Sequence, residues 1–278
     1  MPRQSPPSQS PSPSQLPAYA IAFKEDMARR QQMTADFKPL GITLNFIDAI
    51  RGDSLSDATK KAFLNPARQY RIEHFLQDNA VGCAFCHYQA WQDMLNKNAP
   101  YALIFEDDAL PNKKEIAHIA QRLHRLTLFS TCLDIVFFDT RRKNIPYIRL
   151  ARLDAASTLG VVKYNSFGGY AYFITRHAAR HLLTHPNRHI YEVDFHMHHW
   201  WRHRCQILYV APDLFVHNDK KQSSIRYDRD RAWANDYFYH RLARRLNRMG
   251  DSLHKRLAFP HYVRQIRKRL AKGGLELC

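Results

Sequence analysis

The sequence predicts an α/β protein built on an open, mostly parallel sheet, and three observations carry that prediction. Continuous apolar runs of strand length recur along the chain, stretches with helical spacing lie between them, and several runs end directly in segments rich in Asp and Gly. Such alternation implies right-handed crossovers, with ligands held at the C-terminal ends of the strands. With 278 residues and 45% hydrophobic side chains, the chain can bury one large core, so disorder is expected only at the ends.

Residues 1–17 are almost entirely Pro, Ser and Gln; they offer nothing from which to build a core and are set aside as disordered. Tyr-Ala-Ile-Ala-Phe at 19–23 reads as a short buried strand, and 25–37 follows with helical spacing and the pair Arg29-Arg30. A second strand at 43–47 is rich in β-branched and aromatic residues. It runs into Asp48-Ala49-Ile50-Arg51-Gly52-Asp53, a loop by composition. In the helix expected over 80–96, Cys83, His87, Ala90, Trp91 and Met94 recur at spacings of three and four, a stripe that should face the sheet.

Pro100 stops that segment. Tyr-Ala-Leu-Ile-Phe at 101–105 then has the length and continuity of a central parallel strand, and it delivers its end into Glu106-Asp107-Asp108. Further buried strands are expected at 133–138, ending at Asp139, and at 168–174, with a helix continuing to 183. The last strand is expected at 207–210, ahead of a loop that carries His217. The main domain is therefore set at 18–225, followed by a basic, largely helical extension over 226–278.

The chain carries 42 Lys and Arg against 25 Asp and Glu, a net charge of +17. Between residues 220 and 272 the balance is 16 to 4, so the surplus is concentrated there. Nucleic acid, phospholipid headgroups and phosphorylated sugars are the partners this charge can attract. Within the extension Arg241, Arg244, Arg245 and Arg248 share roughly one helical face, with Leu242 and Leu246 elsewhere. No run of about 18 apolar residues occurs and the N-terminus lacks a signal-peptide core, which predicts a cytosolic protein. The five cysteines form an odd set with no second pair to complete a zinc site around Cys83 and Cys86, in keeping with a reducing compartment.

The acidic triplet is the most informative chemistry. Three consecutive carboxylates at the end of a buried strand repel one another and resist desolvation unless a cation or hydrogen-bond donors sit among them. A hard divalent ion such as Mg²⁺ or Mn²⁺, held by Glu106 and Asp108 together with substrate phosphates, is one remedy. A solvated acidic loop ahead of a helix is the other. His196, His198, His199 and His203, with Trp200 and Trp201, form a second cluster. On one helix His196, His199 and His203 would share a face, yet a metal role is the less favoured reading, and the tryptophans suit stacking on a sugar equally well.

Four blocks in order resemble glycosyltransferase family 25, whose members include bacterial lipooligosaccharide galactosyltransferases and the galactosyltransferase domains of collagen-modifying enzymes. They are 20–30 with Phe23-Lys24 and Arg29-Arg30; 46–52, similar to the family's aromatic-x-Asp-Ala-x-x-Gly; and Gly82-Cys83-Ala84-Phe85-Cys86-His87, then Trp91, then 100–108. The fourth runs from Gly169-Tyr170 through Ala178-Ala179 and Leu182-Leu183 to Val193-Asp194. Two departures stand out: Cys86 where the family usually has Ser, and His217 where its late block commonly has Gln.

The resemblance implies a GT-A-like nucleotide-sugar fold, UDP-galactose as donor, Mn²⁺ or Mg²⁺ as cofactor and inversion at the anomeric carbon. It also implies a saccharide acceptor in lipooligosaccharide synthesis. On this reading Glu106, Asp108 and His217 hold the metal, and Asp48, Arg51, His87, Glu106, Asp107 and Gly169 contact the donor. Asp194 is the candidate base for the acceptor hydroxyl, with a helix N-cap as its structural alternative. The basic extension is expected to dock on an anionic membrane at the cytosolic face, which accounts for both halves of the chain. A nucleic-acid-binding protein would leave the acidic triplet without a purpose. A metal-dependent phosphohydrolase, or an inactive scaffold, would use the same fold differently.

Overall fold

The structure is a computed structural model, describing residues 16–63, 65–71, 77–140, 146–162, 168–218 and 237–278. Most of the Pro/Ser/Gln segment and the start of the expected extension lie outside these residues.

The chain opens with β1 (Ala18–Ala22), entirely buried, and α1 (Met27–Phe37). That helix begins two residues later than its spacing suggests because the Asp26 carboxylate accepts from the Arg29 amide at 3.0 Å and fixes the first turn. Next come β2 (Leu44–Asp48), α2 (Asp57–Phe63), α3 (Asp78–Asn96) and β3 (Tyr101–Glu106). They are followed by β4 (Ala109–Pro111), α4 (Ile116–Leu128), β5 (Ile135–Phe137), β6 (Tyr147–Arg152), β7 (Thr158–Val162) and β8 (Ala171–Thr175). The remaining elements are α5 (Arg176–Thr184), α6 (Val193–His198), α7 (Trp200–His203), β9 (Ile207–Ala211), β10 (Phe215–His217) and α8 (Phe238–Lys272).

One eight-stranded sheet in the order β2-β1-β3-β8-β5-β9-β7-β6 forms the centre, and β4 and β10 make a separate two-stranded ribbon. Strands β2, β1, β3, β5, β9 and β6 point one way; β8, in the middle of the sheet, and β7 point the other. The sheet is thus mixed, with a mostly common direction, and is compatible with a GT-A-like fold. Apolar runs alone do not disclose direction: β8 is as fully buried as β3, and only the pairing partner tells them apart.

The β6–β7 hairpin was not expected from the sequence. Its turn is closed by Asp154, whose carboxylate accepts from the Ala156 amide at 2.8 Å and pairs with buried Arg122. The last residues reach the same strand: the Arg152 amide donates to Glu276 and the Cys278 amide to Leu150.

Helix α8 packs its C-terminal half onto the fold. Tyr262, Ile266, Leu270 and Leu275 belong to the same buried cluster as the sheet residues, and Trp200 stacks on Tyr262 at 4.0 Å. Arg269 pairs with buried Asp134 through both guanidinium nitrogens, at 2.7 and 2.9 Å. Of the four arginines expected to share roughly one helical face, Arg244 is buried, at 3% exposed, while Arg241, Arg245 and Arg248 are exposed.

Candidate active site

The parallel run β2-β1-β3 brings three strand ends together. Ala22 is in register with Asp48 and Ile21 with Glu106, so the loop after β2 and the acidic triplet after β3 flank the end of β1. Asp48 is held there by Arg30, whose guanidinium contacts its carboxylate at 2.5 Å and the Ala22 and Phe23 carbonyls at 2.8 and 3.1 Å. Arg51 lies on the surface beside them, over the Phe23 ring at 4.5 Å and 3.3 Å from Glu25.

Helix α3 presses against this edge. A Cβ on Gly82 would stand 2.4 Å from the Ile50 carbonyl oxygen, and one on Gly52 1.6 Å from that of Asp78. Only glycine at both positions lets the loop and the helix approach so closely. The Ile50 amide also donates to the Cys86 sulfur at 3.3 Å, so the Cys that replaces the family's usual Ser takes up an acceptor role a hydroxyl can fill.

The stripe on α3 points where its spacing says. His87, fully buried, contacts Glu106 through Nε2 at 3.3 Å and the Tyr172 hydroxyl through Nδ1 at 2.8 Å, and Trp91 donates to that hydroxyl at 2.9 Å. Burial pushes the Cys83 thiol well above its ordinary value, and the negative charges of Glu106, Asp194 and Asp108 add to that rise. The triplet after β3 and the distant Asp194 thus both act on this side chain through their charge.

Asp194 reaches this place at the start of α6. The residue capping that helix is Glu192, not Asp194. Glu192 in turn forms a buried ion pair with Arg68 at 3.2 Å, and Arg68 also donates to the Ile190 carbonyl. Breaking such a pair on one side is strongly destabilising, so it fixes the segment that carries Asp194. A Cβ on Gly169 would lie 3.8 Å from both the Asp194 Cβ and a Glu106 carboxylate oxygen, and 2.8 Å from the Met197 methyl. Gly169 thus keeps the space between the two acids open. On the other side of the triplet, His217 on β10 contacts Asp108 through Nε2 at 2.8 Å, brought there by the pairing of His217 with Ala109.

Residues 15–197 match the family model described as glycosyltransferase family 25 (LPS biosynthesis protein). The chain belongs to glycosyltransferase family 25. A Haemophilus influenzae protein named as a glycosyltransferase is 33% identical over 115 residues, 40% of either chain. The lipooligosaccharide biosynthesis protein lic2B of the same species is 24% identical over 200 residues, 64% of this chain and 68% of that one. The lacto-N-neotetraose biosynthesis glycosyltransferase LgtE of Neisseria meningitidis serogroup B is 27% identical over 104 residues, 37% of this chain and 36% of that one. An inactive glycosyltransferase 25 family member 3 from Mus musculus is 23% identical over 170 residues, 60% of this chain and 28% of that one. The chain thus spans from about a quarter to two thirds of these relatives.

In this family 25 member Asp108 and His217 meet, whereas the three expected metal ligands Glu106, Asp108 and His217 do not form a group with all donor atoms within 4.8 Å of one another. A second set, Cys83, His87 and Glu106, lies with its donor atoms within 4.8 Å of one another. Within this set the His87 ring contacts the Glu106 carboxylate at 3.3 Å and so orients it. Asp107 also stays in the loop between β3 and β4.

The histidine-rich stretch does not form one helix. It breaks at His199, where ψ is 54°, so α6 and α7 are separate short turns. His196 donates through Nε2 to the Leu182 carbonyl, and His203 donates through Nε2 to the Met197 carbonyl while its Nδ1 accepts from the Cys205 amide. Bonded in this way the rings brace the backbone. Cys83 and Tyr172 escaped the sequence reading as site residues; the i, i+4 relation of Cys83 to His87 was the available signal, whereas nothing local marks Tyr172.

Proposed function

We propose that this protein is an active glycosyltransferase that transfers galactose from UDP-galactose to a saccharide acceptor in lipooligosaccharide synthesis, with inversion and with Mn²⁺ or Mg²⁺. The observation that carries the proposal is geometric: His87 on Glu106 and His217 on Asp108 flank the triplet, and Gly169 lies beside both Glu106 and Asp194. A relative named inactive belongs to the same family, so activity rests on this site and not on membership. The names of lic2B and LgtE, one in lipooligosaccharide biosynthesis and the other in lacto-N-neotetraose biosynthesis, support the acceptor class.

Asp108 and His217, with Glu106, would hold the cation, and a bound divalent cation supplies positive charge against the departing diphosphate. Asp194 takes the proton of the acceptor hydroxyl across the gap, on the face opposite the leaving group. His87 fixes the Glu106 carboxylate from below, and Tyr172 and Trp91 fix His87. Asp48 and Arg51 sit at the adjoining strand end, where the nucleoside and phosphates of the donor are expected. Among the described residues no helix is long and apolar enough to cross a membrane. The basic surplus of residues 220–272 supports a peripheral position on the anionic cytosolic face of a membrane.

The test is UDP release and sugar transfer from UDP-galactose to acceptors ending in GlcNAc or glucose, with Mn²⁺ and with chelator, for the protein and for Asp108→Ala. Metal-dependent transfer that falls about 100-fold or more in the variant is expected. Transfer unaffected by chelator would sink the metal assignment, free sugar with every acceptor would mean a hydrolase, and turnover of a different UDP-hexose would replace galactose.

A further inference from the structure

The N-terminal half of helix α8 is built inside out. Toward the body it presents His240 and Arg244, both buried, together with Asn247, which donates to the Tyr70 carbonyl at 3.1 Å, and Asp251, which pairs with Arg202 and accepts from the Trp201 indole. Toward solvent it presents Phe238, Leu242, Leu246, Met249, Leu253 and Leu257, each between 43% and 71% exposed. At the helical rise and turn these six side chains form one stripe about 30 Å long within about 100° of arc, on the side away from the fold. A contiguous apolar patch with a polar rim marks an interaction surface, whereas scattered exposed leucines do not.

The rim identifies the occupant. Arg245 and Arg256 border the stripe on one side, with Arg241 and Arg248 behind them, all exposed, and Asp251 has its carboxylate engaged inward. An apolar stripe flanked by arginines on a helix lying along the surface complements a layer of acyl chains beneath anionic headgroups. We infer that α8 lies flat in the interface of an anionic phospholipid membrane, with Leu242, Leu246, Met249, Leu253 and Leu257 among the acyl chains and the four arginines on the headgroups. The inference rests on the peripheral position proposed above and adds insertion to what charge alone supplies. It also explains why the inward face of the N-terminal half is polar: that half meets the body through hydrogen bonds and an ion pair, leaving its leucines for the bilayer.

Cosedimentation of the full chain with vesicles of phosphatidylcholine alone, and of phosphatidylcholine with phosphatidylglycerol, tests it. Wild type is expected to bind the anionic vesicles and to keep a bound fraction in high salt. Leu246→Ser with Leu253→Ser should lose binding roughly tenfold or more, with Tm and transfer to a soluble saccharide unchanged. Arg245→Glu with Arg256→Glu should weaken binding mainly at low salt. Binding that ignores the leucine changes and is fully released by salt overturns insertion but leaves the peripheral reading standing. Absence of binding to either vesicle overturns both. A wild-type dimer that the serine variant dissociates, without vesicle binding, makes a second copy of the chain the partner instead.

Discussion

Two regions of this molecule gather histidines and other metal-type side chains, and they use them in opposite ways. Around the acidic triplet the polar atoms meet one another: His87 with Glu106, and His217 with Asp108. Around α6 and α7 the rings of His196 and His203 stand 5.9 Å apart, yet their nitrogens meet backbone groups. Side chains that face each other can rearrange around a substrate or ion, whereas side chains bonded to the main chain hold the fold. Residue type and spacing are alike in the two regions; the hydrogen-bond partner separates them.

The sharpest way to break this contrast is to remove the proposed base. Asp194→Asn should lower kcat by about 100-fold to 10,000-fold while leaving Tm within a few degrees, as steady-state transfer and thermal melting will show; an unaltered kcat would reduce Asp194 to a structural residue. In the other region His203→Ala should do the reverse. It leaves the Met197 carbonyl and Cys205 amide without their ring partner, at a cost of about 1–3 kcal/mol in urea unfolding, with Mn²⁺ affinity unchanged.

The pH dependence of stability separates the regions a third way. Burial first, with neighbouring rings adding, lowers His196 to about 3, and burial with Arg188 lowers His189 to about 4. His199 and His203 are also pushed well down. The unfolded chain takes up protons as the pH falls through about 6.5 while these rings stay neutral in the fold, so stability is full above that pH and declines below it. Each fully buried ring contributes up to about 1.4 kcal/mol per pH unit down to its own folded value. Urea midpoints at pH 7.5 and 5.5 should differ accordingly, and a flat profile would contradict the buried neutral rings. The smallest effect is expected from Tyr172→Phe, which removes the hydroxyl between His87 and Trp91. It should cost roughly 1 kcal/mol in stability and a few-fold in kcat, since it acts on Glu106 only through His87.

Much of the fold was readable because its signals are local. The run at 101–105 ends in the triplet as expected, and the three- and four-residue spacing of Cys83, His87, Ala90, Trp91 and Met94 turns that face of α3 toward the sheet. What could not be read is set by contacts distant in sequence. The reversed direction of β8 depends on its partners β3 and β5. The ion pair of Arg68 with Glu192 links positions 124 residues apart. The single helix on which His196, His199 and His203 would share a face breaks at His199. The arginines of 241–248 were legible as a basic face, but that Arg244 alone among them is buried depends on the docking of α8.

The pairing of residues 276–278 with β6 bears on how the protein behaves at high concentration. Strand β6 ends the eight-stranded sheet, and its outer backbone groups at Leu150 and Arg152 are met by Cys278 and Glu276, with Ala151 bridged to Leu277. An uncovered outer strand is a template onto which another molecule can add its own. The short C-terminal stretch therefore acts as a guard against self-association, and removing it should leave the sheet intact but the sample prone to aggregate.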